Sequence, residues 1–324
     1  MKKIWNLPKI EFASLAEISE NRPALLVTSP PAWAAVKDRL HLPVVCRLDV
    51  SEASTGHWDG LLSTVDVKQF GVIYAVGGGL PADAAKYMGV KLNLPLTCLP
   101  TALSVDAFLT WASGIRQEGC VDYIETKPPE ILIIDLDVIR LAPASIRAAG
   151  ICDVLSIATG CWDWKFAHAR RKNPEGMEFV PYVYENAQTI LQGVLDCAEA
   201  AGAGDPAGLK QLLDCLCLEV QLCNQIGHAR PEEGSEHYFA YAVENYTGHG
   251  LPHGDLVGPG ILIAAGWQGQ ETSLLEKALR LCHIPLDRIA PAAIEQTARQ
   301  LPAYCLQHGL AYGIAHELNQ SKSG

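Results

Sequence analysis

The chain has 324 residues, 49% of them hydrophobic, with 36 acidic against 25 basic side chains and a formal net charge of −11. That length suggests two domains of about 150 residues each. The acidic balance, with no basic run longer than Arg170-Arg171-Lys172, argues against nucleic acid and against an anionic membrane surface as partners. No apolar run reaches the roughly 18 residues that a membrane-spanning helix needs.

The opening MKKIWNLPKIEF carries basic residues without an apolar stretch behind them, so it does not read as a secretory signal. A cytoplasmic protein is the expectation. The 11 cysteines are scattered and include no C-x-x-C pair, which signals neither a zinc ribbon nor a thioredoxin-type site. They are expected to be reduced, with Cys197, Cys215 and Cys223 acting as small hydrophobes in amphipathic stretches.

Along the first half, short apolar runs alternate with helical patterning. Strands are predicted at Ala24 to Thr28, Pro43 to Leu48, Gly71 to Val76, Leu96 to Leu99 and Ile131 to Asp135. Helices are predicted at Trp33 to Leu40 and Pro81 to Leu92. Apolar strands without polar alternation indicate a parallel sheet covered on both faces. From about residue 143 the texture becomes helical, over Pro143 to Ala169, Val183 to Ala201, Leu209 to Ile226 and Thr272 to Leu281, with no strand pattern. The expected organisation is an α/β domain over residues 1–142 and an all-α domain over 143–324, with the tail from Gln320 to Gly324 frayed.

Two features point to chemistry. Gly77-Gly78-Gly79-Leu80-Pro81-Ala82-Asp83 follows a strand and opens a helix, the setting in which a glycine cluster can cradle a phosphate on exposed helix amides. A tight strand-to-helix turn without a ligand has the same local sequence. The turn is also not at the first strand of the chain, so an ordinary Rossmann fingerprint fits poorly and a nucleotide domain of another topology stays open. The second feature is the grouping of His228, His237, His249 and His253. His237 falls on a helical pattern from Ser235 to Tyr246. His253 falls in a Gly/Pro-framed turn before an apolar helix beginning near Asp255. Two histidines and a separated carboxylate can converge on one metal, and Asp153, near a helix start, is the candidate acid. Satisfied structural histidines and an N-terminal helix acid explain the same residues.

Four segments in order carry a family resemblance: Gly77-Gly78-Gly79 with Asp83 and Lys86; Pro100-Thr101-Ala102-Leu103-Ser104-Val105-Asp106; Ala149-Gly150-Ile151-Cys152-Asp153 with Asp163-Trp164; and Gly234-Ser235-Glu236-His237 with His253-Gly254-Asp255-Leu256-Val257-Gly258. Over about residues 70 to 265 the chain resembles the superfamily of iron-containing alcohol dehydrogenases, glycerol dehydrogenases and dehydroquinate synthases. Within it the chain resembles the sn-glycerol-1-phosphate dehydrogenases more closely than the glycerol dehydrogenases.

The resemblance implies a dehydroquinate synthase-like fold, with an α/β nucleotide-binding domain built on a parallel sheet and an all-α metal-binding domain. It implies Asp153, His237 and His253 as ligands of a divalent metal, zinc first, with Fe2+ or Ni2+ as alternatives. It implies Gly77, Gly78, Gly79 and Asp83 at the pyrophosphate of NAD or NADP, Thr101 and Ser104 on the nicotinamide side, and Asp106 facing substrate hydroxyls. The implied activity is interconversion of a secondary alcohol and a ketone, glycerol 1-phosphate and dihydroxyacetone phosphate or a related polyol, by a homo-oligomer. A sugar-phosphate cyclase of the 3-dehydroquinate synthase type and a non-catalytic relative are the alternatives; the scarcity of Lys and Arg in the second half counts against the former. The departures are Asp255 where the family has Glu, Ile151-Cys152 before the acid, no acid at Ser29-Pro30-Pro31 to select a cofactor, and a short helical part. A phosphate on the substrate would call on Arg230, His228 or Lys165.

Overall fold

The structure is a computed structural model that describes residues 3–248 and 250–318. His249 and the tail from Gln320 lie outside the described residues. The chain divides into two compact units, Trp5–Pro143 and the residues from Ala144 onward, with which Lys3 and Ile4 group.

The first unit is built on strands β1 (Lys9–Phe12), β2 (Ala24–Thr28), β3 (Val44–Asp49), β4 (Val72–Gly77), β5 (Leu96–Pro100) and β8 (Ile131–Ile134), in the spatial order β1-β8-β5-β4-β2-β3 and all parallel. Every residue of β2, β4 and β5 is buried, which is why these segments read as unbroken apolar runs. β3 at one edge alternates instead. Helices α1 (Pro30–Val36), α2 (Thr55–Ser63), α3 (Gly79–Leu92) and α4 (Leu136–Leu141) complete the unit. The first helix starts and ends earlier than Trp33 to Leu40 because Pro30 and Pro31 sit in its first turn, where a missing N–H costs nothing.

Helices α2 and α4 and three strands escaped the sequence pattern. β1 is four residues long and only partly buried, too short for a period to show. The hairpin of β6 (Ala112–Gln117) and β7 (Cys120–Glu125) turns at Glu118-Gly119, both with positive φ, 52° and 79°. That is the backbone of a type I′ turn, built here on Glu-Gly in place of the more telling Asn-Gly or Asp-Gly.

The second unit is helical: α5 (Ala144–Arg147), α6 (Ile151–Leu155), α7 (Ile157–Ala169), α8 (Pro181–Ala203), α9 (Pro206–Ile226), α10 (Ser235–Thr247), α11 (His253–Trp267), α12 (Ser273–Leu281) and α13 (Pro291–Gln307). The single helical stretch expected over Pro143 to Ala169 is three helices. α13, with Pro302 in its interior, was not anticipated. Among the described residues no helix is long and apolar enough to cross a membrane. The 11 cysteines are thiols, and of these only Cys46 and Cys217 are partly exposed.

Candidate active site

In the first unit the glycine turn lies where the sheet reverses direction of growth. β2 pairs with β3 on one side and with β4 on the other, so the carboxyl ends of β2 and β4 flank a topological switch point, the usual ligand crevice of open α/β sheets. The hydroxyl of Thr28, the last residue of β2, donates to the Val76 carbonyl at 2.8 Å and holds that end together.

Gly77 leaves β4 with φ 138°, and a Cβ there would stand 2.9 Å from Pro81 Cγ and 3.1 Å from Ala32 Cβ. Close packing makes a side chain costly at the next two positions as well. A Cβ on Gly78 would meet Ser104 Oγ at 2.9 Å, and one on Gly79 would meet Val105 Cγ2 at 3.0 Å. Thus the segment after β5, with Ser104, lies directly over the turn, while Thr101 donates its N–H to the Gly77 carbonyl. Gly78 caps α3 with no side-chain acceptor, and Pro81 has no N–H. The amides of Gly79 and Leu80 and the positive end of a 14-residue helix are therefore suited to an anion. This donor set fits a pyrophosphate.

Asp83 takes another part. Its carboxylate pairs with the fully buried Lys86 ammonium at 3.0 Å, and burial raises its pKa against the opposing pull of Lys86 and of the Gly114 backbone hydrogen bond. Lys86 also donates to the Thr110 hydroxyl at 2.9 Å and to the Ala112 carbonyl. Asp83 and Lys86 thus pin α3 to the β6–β7 hairpin. Asp106 follows Ser104 on the same connection and opens a tight turn whose first bond is Leu109 N–H to the Asp106 carbonyl, 2.7 Å.

In the second unit Asp153, His237 and His253 converge, each offering a ligand atom within 4.8 Å of the other two. His253 Nε2 lies 2.8 Å from Asp153 Oδ1, and the two imidazole centroids are 5.4 Å apart. Asp153 and His237 are buried, whereas the His253 side chain is 30% exposed and provides the open side.

Glycines on α11 make the convergence possible. A Cβ on Gly254 would stand 3.1 Å from Ala149 Cβ, one on Gly258 2.6 Å from Ile284 Cγ2, and one on Gly260 2.6 Å from the Glu236 carbonyl oxygen. α11 therefore lies close against the α6 region and against α10, which brings residues 100 positions apart within hydrogen-bond reach. Cys152 fits this packing, its Sγ 3.6 Å from the Cβ positions of Gly254 and Gly258. His253 is the first residue of α11, not part of the preceding turn, and Pro252 is the cap.

A polar frame orients His237. Its Nδ1 lies 2.9 Å from Glu236 Oε1, which also accepts the Gly234 N–H. With the proton on Nδ1, the ring presents Nε2 as a donor atom, the usual outer partnership of a metal-binding histidine. Burial alone would push the His237 pKa down, but the hydrogen bond and charge of Glu236, with Glu233 and Asp153, raise it to about 9. A cation held there would take the place of that proton. Below, Asp163 is fully buried and accepts from Ser235 N (2.8 Å), Ser235 Oγ (2.6 Å), Gln268 Nε2 (3.2 Å) and Ile314 N (2.8 Å). It ties the start of α10 to the end of α11 and to the turn at 313–316. Gln268 and Ile314 carry no sequence signal, because one donates by its amide and the other by its backbone.

The suggested phosphate partners do not form one basic cluster. Arg230 is buried and donates to Tyr238 Oη at 3.2 Å and to the Tyr312 carbonyl at 2.8 Å. His228 packs edge-on against Trp164 and accepts the Arg230 N–H. Lys165 is exposed, with Nζ 5.2 Å over the Tyr184 ring. Asp255, the shortened acid, is buried, its pKa raised by burial, and 3.9 Å from Arg288 Nε.

Residues 14–143 match the family described as iron-containing alcohol dehydrogenase. The glycerol-1-phosphate dehydrogenase [NAD(P)+] of Pyrococcus horikoshii is 28% identical over 241 residues, 74% of this chain and 68% of its own length. That of Saccharolobus islandicus is 26% identical over 276 residues, 84% of this chain and 78% of its own. Among solved structures, an archaeal halo-thermophilic alcohol dehydrogenase from a Red Sea brine pool superposes with a TM-score of 0.69 at 15% identity, covering 99% of both chains. It supports the fold.

Proposed function

We propose that this chain, which is similar over residues 14–143 to the iron-containing alcohol dehydrogenases and over most of its length to glycerol-1-phosphate dehydrogenases, interconverts a secondary alcohol and a ketone using NAD(P) and a divalent metal. The observation that carries the reading is the convergence of Asp153, His237 and His253. Two imidazoles and a carboxylate are the donor set of a catalytic zinc site with one position left for substrate, and they suit Fe2+ or Ni2+ as well. Such an ion supplies Lewis-acid polarisation of the alcohol or ketone oxygen, and the nicotinamide exchanges the hydride.

The protein's own part is positioning. Glu236 holds the His237 ring by Nδ1, the Asp163 network holds α10, and the partly exposed His253 leaves a side from which a small molecule enters. On this reading the Gly77-Gly78-Gly79 turn and the Gly79 and Leu80 amides hold the cofactor pyrophosphate. Asp83 stabilises that helix from behind, Thr101 and Ser104 line the nicotinamide side, and Asp106 meets substrate hydroxyls. The unit of residues 1–142 is the nucleotide domain and 143–324 the metal domain of a cytoplasmic homo-oligomer.

The named relatives favour glycerol 1-phosphate and dihydroxyacetone phosphate as the substrate pair. The internal commitment of Arg230 to Tyr238 and Tyr312 favours a second reading, an unphosphorylated polyol and its ketone. Absorbance at 340 nm distinguishes them: NADH and NADPH are each offered with dihydroxyacetone phosphate or dihydroxyacetone, with zinc and after chelation. Metal-dependent oxidation of NADH or NADPH, coupled to reduction of one of the two ketones, is expected. Turnover unchanged after complete metal removal would overturn the reading.

A further inference from the structure

Outside the Asp153 site, the second unit buries a carboxylate that has no donor. Glu219 sits on α9 in the run Cys215-Leu216-Cys217-Leu218-Glu219-Val220 and is 1% exposed, among buried Leu216, Val220 and Cys223. Both of its carboxylate oxygens are shut off from solvent, and neither has a hydrogen-bond partner. Glu232, on the connection between α9 and α10, places a carboxylate oxygen within 4.8 Å of one of them, and its Oε2 is also inaccessible to water. The nearby buried guanidinium of Arg230 directs its Nη atoms to Tyr238 and Tyr312.

Two ionised carboxylates this close, one of them without solvent or donors, are unfavourable unless a positive charge joins them. An all-oxygen pair with no imidazole or thiolate suits a hard ion that keeps part of its water shell, as Mg2+ and Mn2+ do when held by one or two carboxylates. We propose that Glu219 and Glu232 form a second divalent-cation site, selective for hard ions such as Mg2+ or Mn2+ and separate in chemistry from the two-histidine site. Its ion neutralises the buried pair and ties α9 to the segment leading into α10. Because the ion binds the folded chain, it raises stability with the logarithm of its concentration once that exceeds Kd.

The test titrates zinc-loaded full-length protein with Mn2+, following free Mn2+ by electron paramagnetic resonance. Wild type is expected to bind one Mn2+, Glu219→Gln to bind it at least about tenfold more weakly with zinc content unchanged, and His253→Ala to lose zinc while keeping the Mn2+ site. Thermal melts guard against misfolding. Mn2+ is expected to raise the wild-type Tm and leave that of Glu219→Gln unmoved, while in chelator Glu219→Gln melts no lower than wild type. Wild type that binds no Mn2+ would overturn the proposal, the pair then sharing a proton instead. Equal Mn2+ binding by wild type and Glu219→Gln would overturn it as well. Failure at Glu219 leaves the reading of the zinc site standing, since that is read separately through His253→Ala.

Discussion

The two units build their sites in opposite ways. In the α/β unit the groups suited to a ligand are main-chain amides at the end of β4, and a single local segment, Gly77 to Pro81, supplies the shape. In the helical unit the groups are side chains drawn from three helices, and Asp153 meets His253 across 100 residues. The first kind of site tolerates change in side chains but little change in backbone freedom. The second depends on close helix packing and on buried polar groups that each need a partner.

Four substitutions probe that contrast, from the largest expected effect to the smallest. His253→Ala removes a ligand from the exposed side of the helical site. Bound zinc measured after dialysis should disappear, and turnover should fall by about a thousandfold or more, several kcal/mol of lost stabilisation, with the far-ultraviolet circular dichroism unchanged. Asp163→Asn places an amide where four donors converge. Denaturant unfolding should show a loss of about 2–4 kcal/mol, and zinc affinity should weaken too because α10 carries His237.

Gly77→Ala tests the other unit. Its φ of 138° and the 2.9 Å approach to Pro81 Cγ predict about 1–3 kcal/mol of destabilisation and a raised KM for the cofactor with metal content intact. A variant as stable as wild type would mean that the turn is less constrained than its geometry implies. Arg280→Ala is the surface control: the Arg280–Glu276 pair is solvent-exposed, 65% and 42% for the two side chains, and its loss should change stability by less than about 0.5 kcal/mol. A larger effect there would mean that α12 matters more to the helical unit than its exposed pair suggests.

Legibility in the sequence followed the same division. The parallel sheet was readable because β2, β4 and β5 are buried throughout, so each appears as an apolar run a few residues long. The glycine turn was readable because strand, glycines and helix are contiguous. The edge strand β1 and the β6–β7 hairpin were not, since partial burial and a Glu-Gly turn leave no strong period or turn signal. In the helical unit the three candidate ligands were named through resemblance to a family; spacing alone left structural readings of each open. The polar frame was only partly visible. Glu236 and Asp163 stand in the quoted motifs, but Gln268 and the backbone amide of Ile314 look like ordinary surface or chain positions.

Composition, apolar periodicity and contiguous motifs determined by themselves an acidic chain with an α/β half, a helical half and a glycine turn before a helix. Those are properties of neighbours along the chain, where burial imposes its period directly on residue type. Only the tertiary structure decided that Asp83 pairs with a buried Lys86 inside its unit, that Arg230 is bonded to Tyr238 and Tyr312, and that Glu219 is left without a donor. A charged side chain has the same one-letter identity whether its partner is water, a ligand or another buried group. What it faces depends on the close approach of helices far apart in sequence, which glycines such as Gly258 and Gly260 permit and do not announce.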